Sequence, residues 1–108
     1  MLVDNIYSGL PQSHSAEEIF EELVQSDSVK IERIISEGHS SPEGFWYDQD
    51  RDEWVLLLTG SAGLKLEGRN EVIVLRSGDW INIPAHVKHR VDWTDRTKKT
   101  IWLAVHYR

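Results

Sequence analysis

EWVLLLTG (residues 53–60) and GDWINIPAHVKH (residues 78–89) are the two stretches on which the reading of this chain turns. In the first, Glu53, Val55, Leu57 and Thr59 share one side of an extended segment, and Trp54, Leu56 and Leu58 share the other. Both sides are apolar, as expected of a strand covered on two faces. In the second, a Ser77-Gly78-Asp79 turn leads into the short strand Trp80–Ile83. Pro84 breaks that strand, and a new one begins at His89, where His89, Val91 and Trp93 alternate with Arg90 and Asp92.

The same rhythm extends outward from these stretches. Val29–Ile35, Gly63–Glu67, Glu71–Leu75 and Thr100–Tyr107 also read as strands, separated by Ser41-Pro42, Gly60-Ser61 and Gly68-Arg69-Asn70. Many short strands at this spacing predict an all-β barrel or sandwich. The last strand has two apolar faces, Ile101, Leu103, Val105 and Tyr107 opposite Trp102, Ala104 and His106. One face suits an interior and the other needs a cover, so a homodimer is the economical expectation. Upstream, Ser15 and Glu18 form a capping-box pattern, and Ile19, Phe20, Leu23 and Val24 fall on one helical face. This spacing predicts a packing helix over about Ala16 to Gln25. The expected organisation is one domain, with an N-terminal segment and helix over 1–28 and a β-barrel over 29–108.

Composition narrows the partners. The 108 residues carry 12 Lys and Arg against 18 Asp and Glu, for a formal net charge of −6. Phosphate backbones and anionic lipids require clustered positive charge, so neither nucleic acid nor a membrane surface is an expected partner. There is no cysteine, which removes disulfides, thiolate metal sites and cysteine nucleophiles and suits a reducing cytoplasm. The start, MLVDNIYSGL, lacks the basic and apolar regions of a signal peptide, and no run approaches the roughly 18 apolar residues of a membrane helix. No phosphate-cradling glycine loop or nucleophile elbow is present.

The two stretches resemble the paired motifs of the cupin superfamily. Glu53, six residues and Gly60 match the end of the first motif; Gly78, Pro84 and His89 match the second, with His86 where a glycine usually stands. The match spans roughly residues 29–107. FWYDQDRDEWVLLL, IPAHVKHRVDWT and IWLAVHY are further similar to small bacterial single-domain cupins of unassigned function. The resemblance implies an RmlC-like jelly-roll β-barrel. It also implies two histidines at alternate positions before the glutamate, and here those positions hold Trp46 and Asp48, or Tyr47 and Gln49.

By alternation, Glu53 and His89 point into the interior. An imidazole and a carboxylate converging there suit a divalent first-row metal such as Fe, Mn, Ni or Zn. His86 and Asp48 are the candidates to complete such a shell, although a loop histidine and a solvated acidic turn are the plainer readings. Gln49, Tyr47, Trp93 and His106 are the candidate substrate-binding residues. Trp93 shares the side of His89 and is the expected pocket aromatic, whereas Trp54, opposite Glu53, is the expected interface aromatic. His106 is also read as a core or interface histidine. His14 and His39 are read as structural or solvent-facing. Two functions follow: a metal-dependent enzyme acting on a small molecule, of oxygenase, isomerase or hydrolase type, or a metal-free, non-catalytic module that binds a small metabolite.

Overall fold

The period-two alternation is realised as eight strands: β1 (Ile19–Gln25), β2 (Val29–Ser36), β3 (Asp52–Thr59), β4 (Ser61–Leu66), β5 (Ile73–Arg76), β6 (Trp80–Ile83), β7 (His89–Thr94) and β8 (Thr100–Tyr107). The computed structural model describes residues 2–108. Five strands form one sheet in the order β1-β2-β8-β3-β6, and three form a second in the order β5-β4-β7. All the pairings are antiparallel.

The two sheets enclose the core. Val55 and Leu57 from β3, Ala104 and Trp102 from β8, and Ile34 from β2 meet Ala62, Leu64 and Val91 of the smaller sheet. Leu57 and Ala62 are wholly buried. The β3–β4 connection is tight because of Gly60, whose φ of +91° lies in the left-handed region. A Cβ there would come within 2.7 Å of the Thr100 Cα, so glycine is needed for both conformation and space.

Two expectations need correction, and a β-bulge lies behind each. The N-terminal helix is not formed; among the described residues there is no helix. Residues 19–25 instead pair with β2, with Phe20 opposite Ile34 and Glu21 opposite Arg33, and the register slips between Glu22 and Val24. That slip puts one extra residue into the strand, so apolar residues at 19, 20, 23 and 24 suit a bulged strand as well as a helix. The free edge of β2 decides between them, because it needs a hydrogen-bonding partner. Arg33 then fixes the register with a two-pronged contact to Glu21, from Nε at 3.0 Å and Nη2 at 2.8 Å to Oε1. Its Nη1 donates to the carbonyls of Ile6 and Ser8, tying the N-terminal segment across the outer face of the larger sheet.

The second correction concerns Trp93. Leu64 pairs with Val91 but Gly63 pairs with Trp93, so Asp92 is an extra residue in β7. Beyond it the alternation is inverted. Trp93 turns to the outer surface, 37 % exposed, and lies over Gly63, where a Cβ would meet the indole Cδ1 at 2.7 Å. It does not line the cavity.

Candidate functional site

A cavity of about 70 Å³ lies between the sheets. Its apolar wall is supplied by Ile34, Val55, Leu64, Ile83, Val91 and Trp102. Into this wall are set three carboxylates (Glu18, Glu32 and Glu53), two imidazoles (His89 and His106), and the side chains of Tyr47 and Gln49. No lysine or arginine reaches it.

Strand pairing brings these groups together. Glu53 lies opposite His106 on β8 and opposite Ile83 on β6. Glu32 and His106 enter from adjacent strands of the same sheet. His89 comes from the facing sheet, at the start of β7. The segment before β3 reaches His89 through a β-bridge, with the Tyr47 N–H donating to the His89 carbonyl at 2.7 Å. This bridge settles which pair of residues stands at the motif positions before the glutamate. Tyr47 and Gln49 face the cavity. Trp46 lies under the Arg90 guanidinium, 6.0 Å from ring centroid to Cζ, and Asp48 turns outward.

The titratable groups form two pairs. His89 Nε2 lies 3.3 Å from Glu53 Oε1. That oxygen is buried and has no hydrogen-bond partner, because the imidazole is close enough for an ion pair but not aligned to donate. His89 Nδ1 donates to the Val87 carbonyl at 3.0 Å, which turns Nε2 toward Glu53. Burial works to lower the pKa of His89, but the nearby Glu53 carboxylate and the hydrogen bond to the Val87 carbonyl outweigh it and leave the value raised. In the second pair, His106 Nε2 is 2.9 Å from Glu32 Oε1 and Nδ1 is 3.0 Å from Gln49 Oε1. The His106 hydrogen bond is the main reason that the Glu32 carboxyl is held below its ordinary range; burial opposes it and Lys30 assists. Glu53 Oε2 reaches to 4.0 Å from His106 Nε2 and so links the pairs.

Tyr47 stacks on His89, with ring centroids 5.4 Å apart, and meets Phe45 edge-on. Burial, with Glu18, Glu53 and Glu32 adding, pushes its phenol up to about 12. Its hydroxyl therefore keeps its proton. Glu18 is held by Ser36, whose hydroxyl donates to the carboxylate and in turn accepts from the Trp102 indole N–H at 3.1 Å.

The residues expected to bind metal are not gathered in one place. Glu53 and His89 lie together in the cavity, but His86 and Asp48 form a separate exposed pair at 2.9 Å. Where the family resemblance implies two histidines, this chain has a protonated phenol and an amide. Among the described residues, no group of three or more His, Asp or Glu side chains is arranged to hold a metal ion. The residues present do not make a closed ligand set. His14 and His39 stack on each other away from the cavity, at 5.3 Å.

Glu32 and Glu18 were not predicted as cavity residues. Glu32 stands among apolar neighbours on β2, a signal that alternation could have caught once β2 was paired with β8. Glu18 carries the capping-box pattern, which concealed it.

No family model matches the chain, and no curated protein matches it. Solved structures do. A Ralstonia eutropha JMP134 protein, provisionally named a mannose-6-phosphate isomerase, is 48 % identical, with 99 % of this chain and 98 % of that one covered and a TM-score of 0.94. A cupin superfamily protein from Desulfitobacterium hafniense DCB-2 is 21 % identical over 90 % of this chain and 83 % of that one, with a TM-score of 0.72. An RmlC-like cupin family protein from Methanocaldococcus jannaschii, with a double-stranded β-helix fold, is 18 % identical over 99 % and 93 %, at a TM-score of 0.71.

Two antiparallel sheets close on a cavity that holds Glu53 and His89, in an RmlC-like fold. The chain has the cupin fold.

Proposed function

We propose that the cavity binds a small polar molecule and moves a proton on it, with Glu53 as the base and His89 as the acid. The observation that carries this reading is the Glu53 Oε1 atom, buried, without a hydrogen-bond partner and 3.3 Å from His89 Nε2. A polar oxygen left unpaired in an apolar wall is costly to a fold and is a common mark of a working site.

The name of the 48 % identical relative gives the reaction a form. Interconverting an aldose and a ketose moves one proton between neighbouring carbons. Glu53 takes the proton from the carbon beside the carbonyl, and His89 gives its Nε2 proton to the carbonyl oxygen, leaving an enediol. Glu53 returns its proton to the adjacent carbon while His89 recovers one from the other hydroxyl. Tyr47, whose phenol keeps its proton at neutral pH, holds a substrate oxygen, while Glu32 and Gln49 fix the His106 ring beside it. General acid–base catalysis of this kind contributes about 10²–10⁴-fold.

A coupled assay for conversion of mannose 6-phosphate to fructose 6-phosphate tests this reading. The expected result is turnover that falls about 10²-fold or more in Glu53→Gln. Absence of turnover in the wild-type protein with both sugar phosphates would remove the isomerase assignment.

The orphaned Glu53 oxygen also favours a second reading, in which a divalent first-row ion such as Fe, Mn, Ni or Zn sits between Glu53 and His89. Elemental analysis of protein purified without chelators separates the two, because this reading requires near-stoichiometric metal that disappears in Glu53→Ala. The outer face of the five-stranded sheet supports a homodimer. Trp54, Leu56, Leu103 and Val105 lie there half-buried beside Trp80, which is 60 % exposed.

A further inference from the structure

Outside the cavity, and sharing Phe20, Glu32, Gln49 and His106 with it, opens a wider vestibule of about 640 Å³. Three cationic side chains line it: Lys30, Arg51 and Arg108. This is an unusual concentration for a chain whose formal net charge is −6. Lys30 is 3.4 Å from Glu32, and Arg108 is 3.3 Å from Asp50. The Arg51 guanidinium, half-buried, makes no hydrogen bond or ion pair with any described residue. Arginine presents a planar fork of donors suited to phosphate and carboxylate oxygens.

The two compartments differ in charge, because the vestibule sets three cations against Glu32 and Asp50. The inner cavity holds three carboxylates and no lysine or arginine, so an anionic group is repelled from it. The vestibule attracts such a group. A molecule with a polar carbon end and an anionic end can therefore enter in one direction only. The inner cavity is also too small for a whole sugar, since about 70 Å³ admits a few atoms beyond the space of one or two waters.

We infer that the vestibule is an anion subsite in which Arg51, with Lys30 and Arg108, holds the phosphate of a small phosphomonoester whose carbonyl end reaches His106 and Glu53. The inference rests on the acid–base reading for the inner end and adds the substrate class: short, singly phosphorylated polyhydroxy carbonyl compounds. Lys30 also joins the compartments, because it neutralises the Glu32 carboxylate that orients His106.

Isothermal titration of the full chain with D-mannose 6-phosphate, D-mannose and inorganic phosphate tests this without requiring turnover. The expected result is measurable binding of the phosphorylated sugar, weakened about tenfold in Arg51→Gln and in Lys30→Gln and weakened again by added salt. Inorganic phosphate should compete, and the neutral sugar should bind far more weakly. Equal binding of the neutral and phosphorylated sugars, unchanged affinity in both cationic variants, or no binding of the phosphorylated sugar at millimolar concentration would overturn the subsite. Charge-dependent binding without turnover would leave the subsite standing and remove the isomerase reading. Turnover that ignores the cationic variants would do the reverse.

Discussion

Glu53 is the one described residue with a buried side-chain oxygen left unpaired. One of its oxygens has no hydrogen-bond partner in a wall of Val55, Ile83 and Val91, and its charge is met by a misaligned imidazole. Burial alone would lower the His89 pKa, and Glu53 with the Val87 carbonyl reverses that. In Glu53→Gln the carboxylate contributions disappear and burial has less to oppose it. An NMR titration of His89 should therefore find its pKa above the ordinary 6.5 in the wild type and shifted downward in the variant. A raised folded-state value has a defined consequence for stability. The contribution of the pair is fully present below about 6.5 and is lost as pH rises through the folded value. Melting temperature of the wild type should fall across that window, and Glu53→Gln should lack this component. At this scale the sequence was readable where alternation was regular, since period two alone aimed Glu53 and His89 at one interior. It could not show that Glu32 and His106 would form a second pair, because that depends on the β2–β8 pairing.

Among the elements, two inserted residues account for the places where patterning and structure part. The slip between Glu22 and Val24 lets a helical-looking stripe lie as a strand, and the extra Asp92 turns Trp93 outward. A bulge leaves no fixed residue signature, so an alternation argument carried through it inverts every later side chain. The strand bounds were far more legible: Trp80–Ile83 and Thr100–Tyr107 are realised as read, since turn residues punctuate them. The β3–β4 turn offers the cleanest test of element-level constraint. Gly60→Ala places a Cβ against the Thr100 backbone at a φ of +91°, and Thr100 anchors the start of β8. It should cost about 2 kcal/mol or more by chemical denaturation. Gly68→Ala, also at positive φ but with open space around it, should cost less. Equal costs would mean that conformation alone, without the Thr100 contact, sets the requirement.

At the scale of the whole molecule, one sheet serves two surfaces. Its inner face holds Glu32, Glu53 and His106, and its outer face presents Trp54, Leu56, Leu103 and Val105 beside the exposed Trp80. The N-terminal segment, held by Arg33, covers only part of that outer face. Covering the remainder with a second copy would bury the tryptophan pair, whose rings lie 5.9 Å apart. Sedimentation analysis should give a dimer for the wild type and a monomer for Trp80→Glu; a wild-type monomer at micromolar concentration would contradict the arrangement. Proton transfer by Glu53 can be followed by deuterium incorporation. Mannose 6-phosphate is incubated with the protein in D₂O and followed by NMR. Deuterium should appear at the carbon beside the carbonyl with the wild type and not with Glu53→Gln. No incorporation by the wild type while the sugar phosphate is bound, or equal incorporation by Glu53→Gln, would contradict it.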